Sequence, residues 1–245
     1  MYIHQTYQLT QSNESIATYK QKLATLCKIN LRRANKFNLL AVFGALSCAQ
    51  NQPLSTNLGI YLATEHGPVE SLTNVLEQVT KEGGVVMPFD FLGINTNASF
   101  YIAQELNASG KHMVLTSHHL SFEKALQLAY FDLTHHEVDD VLVGKVDASL
   151  CFIEPKHRPK GDKNNHDESC WLYANRNAKN AIAKIEKIEE FANFEAMQEV
   201  YGKQESTASF HEVLQKHVDK GEHFLHVAKD EKGKCVVMKI QKLKV

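Results

Sequence analysis

Two short apolar segments flank a helical pattern between residues 112 and 144, and they constrain the fold more than any other feature. His112–Thr116 and Asp140–Gly144 are compact apolar runs with the length of buried strands. Leu120–Leu133, between them, carries apolar residues on most sides of a helix. A strand, a helix and a strand within about forty residues predict a βαβ unit with parallel strands. Because such a helix is usually buried between layers, the pattern predicts an α/β/α core.

Weaker patterns on either side of this unit predict further elements of the same domain. They are a strand near Met1–Leu9, a helix at Ser15–Phe43, a buried strand at Gly59–Ala63, a strand at Ser169–Ala174, a Lys- and Glu-rich helix at Asn177–Phe191, and a hairpin of His223–Lys229 with Lys234–Ile240. No internal repeat or long linker separates them. The sequence therefore predicts a single domain over residues 1–245.

Charge and cysteine usage exclude several classes of protein. The formal net charge of −1 indicates neither nucleic acid nor a membrane surface as a partner. No apolar run approaches the ~20 residues of a membrane span, and the N-terminus lacks the pattern of a signal peptide. The five cysteines show no CxxC spacing, which fits a reducing cytoplasm better than a disulfide framework or a zinc site. No motif indicates a cofactor, so none is expected.

The segment from Thr116 to Ala148 resembles the nucleophile region of β-ketoacyl synthases, which belong to the thiolase-like condensing enzymes. In that family a strand ending in Thr–small–Cys precedes a long buried helix, a Gly/Glu-x-Asp turn and an apolar strand that ends in glycine. Here the turn is Glu137-Val138-Asp139 and the final glycine is Gly144. The resemblance implies a thiolase-like, layered α/β/α half-domain with a mixed five-stranded sheet and a buried central helix.

Other segments resemble the same family in the same order. Arg32–Phe37 is similar to an Arg-Arg-Met-Asp-Arg-Phe stretch, and Gly59–Thr64 to a glycine-bounded apolar strand ending in threonine. Asn97–Ser99 resembles the segment before the nucleophile strand, and Glu168–Tyr173 the strand that closes the first half-domain. The segment after about Phe191 resembles no part of the family and is predicted to be an extension.

Two departures from the family pattern bear on catalysis. Counting back from Asp139 and Gly144 places the family's cysteine at His119, so the thiolate nucleophile is missing. The family takes two catalytic histidines from a second half-domain, and this chain is about half as long as those enzymes. The resemblance therefore favours a chain without condensing activity and leaves open whether it is an enzyme at all.

The resemblance also implies partners. Condensing enzymes are dimers in which the strand before the nucleophile pairs with its counterpart, and such an edge strand presents unpaired backbone groups. The implied interface residues are Lys111, His112, Met113, Val114, Leu115 and Thr116. The chain is most similar in these respects to a chain-length factor, a subunit without the cysteine that pairs with an active ketosynthase.

The leading hypothesis is therefore a non-catalytic, chain-length-factor-like subunit. It would pair with a full-length β-ketoacyl synthase in a type II fatty acid or polyketide pathway, such as an aryl polyene pathway. Acyl carrier proteins are acidic, so Arg32, Arg33 and Lys36 are a candidate carrier-protein surface. The alternative for these three residues is the solvated start of a helix.

Two other functions remain open. His119 could act as a general base with Ser117 or Ser121 in a small acyl-thioester transferase or hydrolase, although both serines are also residue types that cap helices. The chain could instead be a homodimeric acyl-binding protein. A metal site is not expected, because the pairs His118-His119 and His135-His136 lie about 25 Å apart along a continuous helix.

Overall fold

The computed structural model describes residues 1–81, 83–94, 97–158, 166–207 and 209–243. The strands are β1 (Tyr2–Ser12), β2 (Leu58–Ala63), β3 (His112–Leu115), β4 (Asp140–Asp147), β5 (His166–Asn175), β6 (Ala183–Phe191), β7 (His223–Lys229) and β8 (Cys235–Lys242). The α-helices are α1 (Ile16–Leu23), α2 (Lys36–Ala49), α3 (Val69–Lys81), α4 (Pro88–Gly93), α5 (Ala98–Leu106), α6 (Ser121–Thr134), α7 (Phe194–Tyr201) and α8 (Phe210–Lys216).

All eight described strands belong to one mixed sheet, in the order β3-β2-β4-β5-β1-β6-β8-β7. Strands β3, β2 and β4 are parallel, as the βαβ pattern predicts, whereas every other neighbouring pair is antiparallel. The five strands from β3 to β1 form the mixed sheet implied by the resemblance. Strands β6, β8 and β7 extend it, so the sheet has eight strands rather than five.

The extension joins the first five strands through a short contact. Strand β1 pairs with β6 only at Tyr2–Lys184 and Ile3–Ala183. Strands β6, β8 and β7 then pair along most of their lengths. The segment after Phe191 is therefore part of the same sheet and not a separate extension, and the predicted hairpin of β7 and β8 is present.

The helix predicted at Asn177–Phe191 is wrong, because residues 183–191 form β6. Ile185 and Ile188 are three residues apart, which is typical of one face of a helix. The register between β6 and β8 shifts between Ile185 and Lys187, as in a β-bulge. A bulge inserts one residue and restores the orientation of the next side chains, so both isoleucines pack in the same core cluster.

The helix predicted at Ser15–Phe43 is two helices, α1 and α2, separated by residues 24–35. The side chain of Asn35 caps α2 and accepts a hydrogen bond from the Asn38 backbone N–H at 2.7 Å. This capped start is where the sequence resembles the Arg-Arg stretch of the family. Arg32 and Arg33 lie just before it, on the protein surface.

Helices cover both faces of the sheet. Helices α1, α2 and α5 pack on one face around a cluster that includes Trp171, and α6 and α8 pack on the other. Helix α6 contacts β2 and β4 with its backbone close to theirs. It also reaches β6, since the Tyr130 hydroxyl donates to the Glu186 carbonyl at 3.0 Å. Both ends of the sheet therefore approach α6, which confirms the predicted buried central helix.

Candidate functional site

The turn before α6 is held by its own polar groups. The Ser121 hydroxyl donates to the His118 carbonyl at 2.6 Å and accepts from the Ser117 backbone N–H at 2.8 Å. His118 has a left-handed backbone conformation, with φ of 47°. Ser121 thus closes the turn, but the N-cap residue is Leu120, so neither Ser117 nor Ser121 is the predicted helix cap.

His119, at the position implied for the missing cysteine, lies at the mouth of a cavity. Its side chain is 54% exposed, and its Nδ1 lies 3.0 Å from Glu65 Oε2. Glu65 in turn pairs with Lys145 at 2.8 Å. Burial alone would raise the pKa of Glu65, but Lys145 and His119 lower it below its ordinary value. An ionised Glu65 therefore orients the imidazole of His119.

A buried carboxylate fixes the turn that carries Glu65. Asp147, at the end of β4, accepts hydrogen bonds from the Thr64 hydroxyl at 2.7 Å and from the Glu65 and His66 backbone N–H groups at 3.0 Å. Burial raises the pKa of Asp147 to about 6, although Lys145 and these donors oppose the shift. The parallel strands β2 and β4 thus end side by side, which places Glu65 and Lys145 at one edge of the cavity.

The cavity has a volume of about 300 Å³, and residues from both the N-terminal and the C-terminal parts of the chain line it. Its N-terminal lining includes His119, Phe122 and Lys145. Its C-terminal lining includes two buried histidines, His211 on α8 and His226 on β7. The C-terminal segment therefore supplies two histidines to the cavity that His119 also lines.

His211 is held as a neutral imidazole. Its Nε2 lies 3.0 Å from the Trp171 carbonyl, which only accepts hydrogen bonds, so Nε2 carries the proton. Burial, together with the neighbouring His226, lowers the pKa of His211 to about 4, against the opposing effects of the Trp171 carbonyl and Glu123. The Nδ1 of His211 is then an acceptor with no proton of its own.

His226 joins two side chains from distant parts of the chain. Its Nε2 lies 2.8 Å from Glu123 Oε1, on α6, and its Nδ1 lies 2.8 Å from the Thr207 hydroxyl. The Glu123 and His226 side chains are 7% and 1% exposed. Sequence reasoning overlooked this group, although one signal was present: His226 and Phe224 alternate as inward-facing residues of β7.

The cavity provides no activated thiol among its described lining residues. The cysteine that lines it is Cys170, on β5. Burial raises the pKa of the Cys170 thiol above its ordinary range, and the nearby carboxylate of Glu168 acts in the same direction. Because the thiolate is the reactive form, this cysteine is a poor nucleophile at neutral pH.

The residues implied for an interface lie on β3 and beside it, at one edge of the sheet. Lys111 precedes the strand, and its Nζ pairs with Asp132 of α6 at 2.8 Å. His112 and Met113 are exposed, whereas Val114 and Leu115 are half-buried. Thr116, which follows the strand, is also exposed.

The three residues implied for carrier-protein binding do not share one surface. Arg32 and Arg33 are exposed. Lys36 is buried, and its Nζ lies 2.7 Å from Asp167 Oδ1, whose side chain is 0% exposed. A buried charge needs such a partner, so Lys36 belongs to the core and cannot meet a carrier protein in this conformation.

The histidine pairs His118-His119 and His135-His136 lie at opposite ends of α6. Over the described ranges, no three His, Cys, Asp or Glu side chains come together as metal ligands would. In the same part of the chain, none of the helices is long and apolar enough to cross a membrane.

Solved structures of ketosynthases share this fold. The ishigamide ketosynthase/chain length factor matches with a TM-score of 0.70 and 13% identity, over 99% of each chain. AntDE:AntF, a type II polyketide acyl-carrier protein in complex with its ketosynthase, matches with a TM-score of 0.73 and 10% identity, over 99% of each chain. The ketosynthase ApeO in complex with its chain length factor ApeC, from Xenorhabdus doucetiae, matches with a TM-score of 0.61 and 15% identity, over 98% of each chain.

No family model matches the sequence, and no curated protein matches it either. The structural matches extend over nearly the whole chain, including the segment after Phe191 that the sequence could not assign. At these identities the likeness concerns the fold. The chain has the thiolase-like α/β/α fold of ketosynthases and chain length factors, as the sequence resemblance predicts.

Proposed function

We propose that this chain is a ketosynthase-like subunit, non-catalytic in condensation, that pairs with a full-length β-ketoacyl synthase. The observation that carries the proposal is the exposed edge strand β3, directly before the turn at which His119 replaces the family's cysteine. The fold shared with a ketosynthase in complex with its chain length factor supports the same assignment. His119 is oriented by Glu65, and the thiol of Cys170 in the same cavity has a raised pKa and is a poor nucleophile.

Strand β3 offers hydrogen-bonding groups to a partner. The carbonyls of Lys111 and Leu115 face β2, since they accept from the Ile60 and Thr64 backbone N–H groups at 2.8 and 3.0 Å. In a parallel pair, alternate residues direct both backbone groups to the same side. The N–H and C=O groups of His112 and Val114 therefore point outward, where a strand of the partner would pair with them.

Exposed apolar side chains surround this edge. Met113 on β3 is 38% exposed, and Phe131, on the adjacent helix α6, is 54% exposed. Phe100, on α5 beside β3, is 60% exposed. Burying such side chains against a partner would add hydrophobic stabilisation to the strand pairing.

The finer parts of the proposal concern the pathway and the carrier protein. The pathway would be type II fatty acid or polyketide synthesis, such as aryl polyene synthesis, located in the cytoplasm. Acyl carrier protein would bind near Arg32 and Arg33, which are exposed cations. The structural match to ketosynthase complexes of this kind supports this choice.

Co-expression with a full-length ketosynthase from the same cells tests the proposal. We expect a stable heterodimer by native mass spectrometry, and we expect Val114→Pro to abolish it, because proline removes an outward N–H without removing a bond to β2. Arg33→Glu is the matched control, since this exposed residue lies far from β3 in the sequence and should leave the heterodimer intact. A ketosynthase that does not bind would contradict the proposal, and a lipid-bearing homodimer would favour an acyl-binding protein.

A further inference from the structure

One chain of hydrogen bonds at the cavity has no role in the proposed subunit function. It runs from Glu123 through His226 to Thr207, with both steps at 2.8 Å. The Thr207 hydroxyl also accepts a hydrogen bond from the Val227 backbone N–H at 3.1 Å, and it lies 3.2 Å from the Val227 carbonyl, to which it donates. These residues come from α6, β7 and the segment before α8, so only the folded chain brings them together.

The partners decide the direction of these hydrogen bonds. A carboxylate of Glu123 only accepts, so the Nε2 of His226 carries the imidazole proton. The Nδ1 of a neutral His226 then holds a lone pair and is one acceptor for the Thr207 hydroxyl proton, the Val227 carbonyl being the other. This assignment follows from the hydrogen-bond network. It has the form of a catalytic triad, in which an acid orients a histidine that draws a proton from a hydroxyl.

Burial distinguishes this group from an ordinary surface network. The Glu123 and His226 side chains are 7% and 1% exposed, so little water competes for their hydrogen bonds. Phe210 packs edge-on against the His226 ring, with centroids 5.4 Å apart, and restricts its rotation. Thr207 is only half-buried and lines the cavity. The base is thus fixed inside the protein, and the hydroxyl faces the space where a substrate would lie.

The Ser206 and Ser209 hydroxyls, beside the cavity, bond to backbone groups. The Ser209 hydroxyl caps α8 and accepts from the Glu212 backbone N–H. The Ser206 hydroxyl donates to the Val227 carbonyl at 3.3 Å. Among the described lining residues, Thr207 is the hydroxyl that lies within hydrogen-bond distance of a histidine.

We propose that Thr207 accepts an acyl group from a short-chain ester or thioester and that the cavity hydrolyses it. The Thr207 oxygen attacks the acyl carbonyl while its proton passes to His226 Nδ1. The bond to the alcohol or thiol then breaks, and the leaving group takes that proton. Water next attacks the acyl-threonine and gives a proton to His226, which returns it to the departing Thr207 oxygen. The products are a carboxylic acid and the alcohol or thiol.

The cavity limits the substrate to a small acyl group. Its volume of about 300 Å³ is at the lower end of the range for ligand sites. Phe122 and Phe210 line it, with ring centroids 5.6 Å apart, and provide an apolar wall for the acyl chain. Lys145 and His119 line the opposite, polar side, where a carbonyl oxygen would be the favoured neighbour.

Hydrolysis of p-nitrophenyl butyrate by the purified chain tests this activity. We expect a butyryl adduct on Thr207 by peptide mass mapping after acid quenching. Thr207→Val should lose the adduct and reduce kcat by roughly 100-fold, whereas Thr207→Ser should keep both. Thr25→Val, the same substitution at an exposed threonine outside the cavity lining, is the control and should hydrolyse the ester at the wild-type rate. A Thr207→Val variant within twofold of wild type, or an adduct on another residue, would overturn the proposal.

If Thr207→Val does not fold, covalent labelling of the wild-type chain still tests whether Thr207 is the nucleophile. A fluorophosphonate should phosphonylate the Thr207 oxygen and release fluoride, and heat-unfolded protein should not react. Glu123 is a positioning residue, so Glu123→Gln should lower kcat with little change in KM. Labelling equal in the folded and unfolded chains would refute the site. The result of this labelling test does not depend on whether the chain pairs with a ketosynthase. The Val114→Pro substitution that tests the pairing alters only the β3 edge.

Discussion

Helices α2 and α6 have the same length and lie on opposite faces of one sheet, yet they are buried in different ways. Each has 14 residues. Beyond its first turn, α2 buries only apolar side chains, Gly44 and the alanines. Helix α6 buries Ser121, Glu123 and Asp132 among its apolar residues. Beyond its first turn, which holds the buried Lys36, α2 therefore packs as a hydrophobic core, whereas α6 holds polar groups at fixed positions along its length.

The partners of the buried polar groups explain the difference. Asp132 accepts from the Tyr61 hydroxyl at 2.7 Å and pairs with Lys111 at 2.8 Å. Glu123 pairs with His226. A buried polar group without a partner destabilises a fold by roughly 1–3 kcal/mol, so each of these needs a specific partner. The α2 face therefore contributes mainly hydrophobic stabilisation, whereas the α6 face holds polar side chains in fixed positions.

Trp171→Ala should show the largest effect, on the α2 face. The Trp171 side chain is 0% exposed and lies against Gly44 of α2 and Gly144 of β4. A Cβ at Gly44 would lie 2.7 Å from Trp171 Cδ1, and one at Gly144 would lie 2.2 Å from Trp171 Cδ2. Removing the indole would leave a cavity and should lower the free energy of unfolding by about 4 kcal/mol, measured by urea denaturation. A loss below about 1 kcal/mol would mean that this face repacks freely.

His211→Gln should change how stability depends on pH. Burial lowers the pKa of His211 to about 4, from an ordinary value of 6.5. Between these values the unfolded chain binds more protons, so wild-type stability falls as pH falls from about 6.5 to about 4. Glutamine can still donate to the Trp171 carbonyl but does not titrate. Over that window the wild type should lose about 3 kcal/mol more than His211→Gln.

Urea denaturation between pH 7 and pH 4.5 measures this difference. Glu123 and His226, which face His211, are present in both proteins, so the difference between the two curves reports on His211. His166→Gln replaces an exposed histidine and is the control, expected to follow the wild type. Parallel pH curves for the wild type and His211→Gln would show that His211 does not set the acid sensitivity of this face.

Tyr61→Phe should show the smallest effect. It removes one hydrogen bond to the buried carboxylate of Asp132, which keeps its pairing with Lys111. Hydrogen bonds to charged groups contribute about 1.5–3 kcal/mol, and we expect a loss near the lower value, measured by thermal unfolding. Tyr101→Phe is the control on the α2 face, where we expect a change within about 0.5 kcal/mol. Equal losses in both variants would remove the contrast between the two faces.

Much of the fold could be predicted where the pattern was local. Helix α6, the parallel strands on either side of it and the β7–β8 hairpin appear close to where periodicity and turn residues indicate them. Strand β6 was missed, because a bulge gives Ile185 and Ile188 a helix-like spacing. The burial of Lys36 was also missed, because its partner Asp167 lies far along the chain.

The candidate site also combines features that a local sequence pattern indicates with features that it does not. Counting from Gly144 identified His119, since the helix and turn between them have a fixed length. Glu123 and His226 are separated by 103 residues, and no local pattern relates them. By itself the sequence determined the βαβ unit and the buried central helix, because hydrophobic periodicity acts over neighbouring residues. Only the tertiary structure decided that His211 and His226 oppose His119, because both ends of the sheet must approach α6 to bury it.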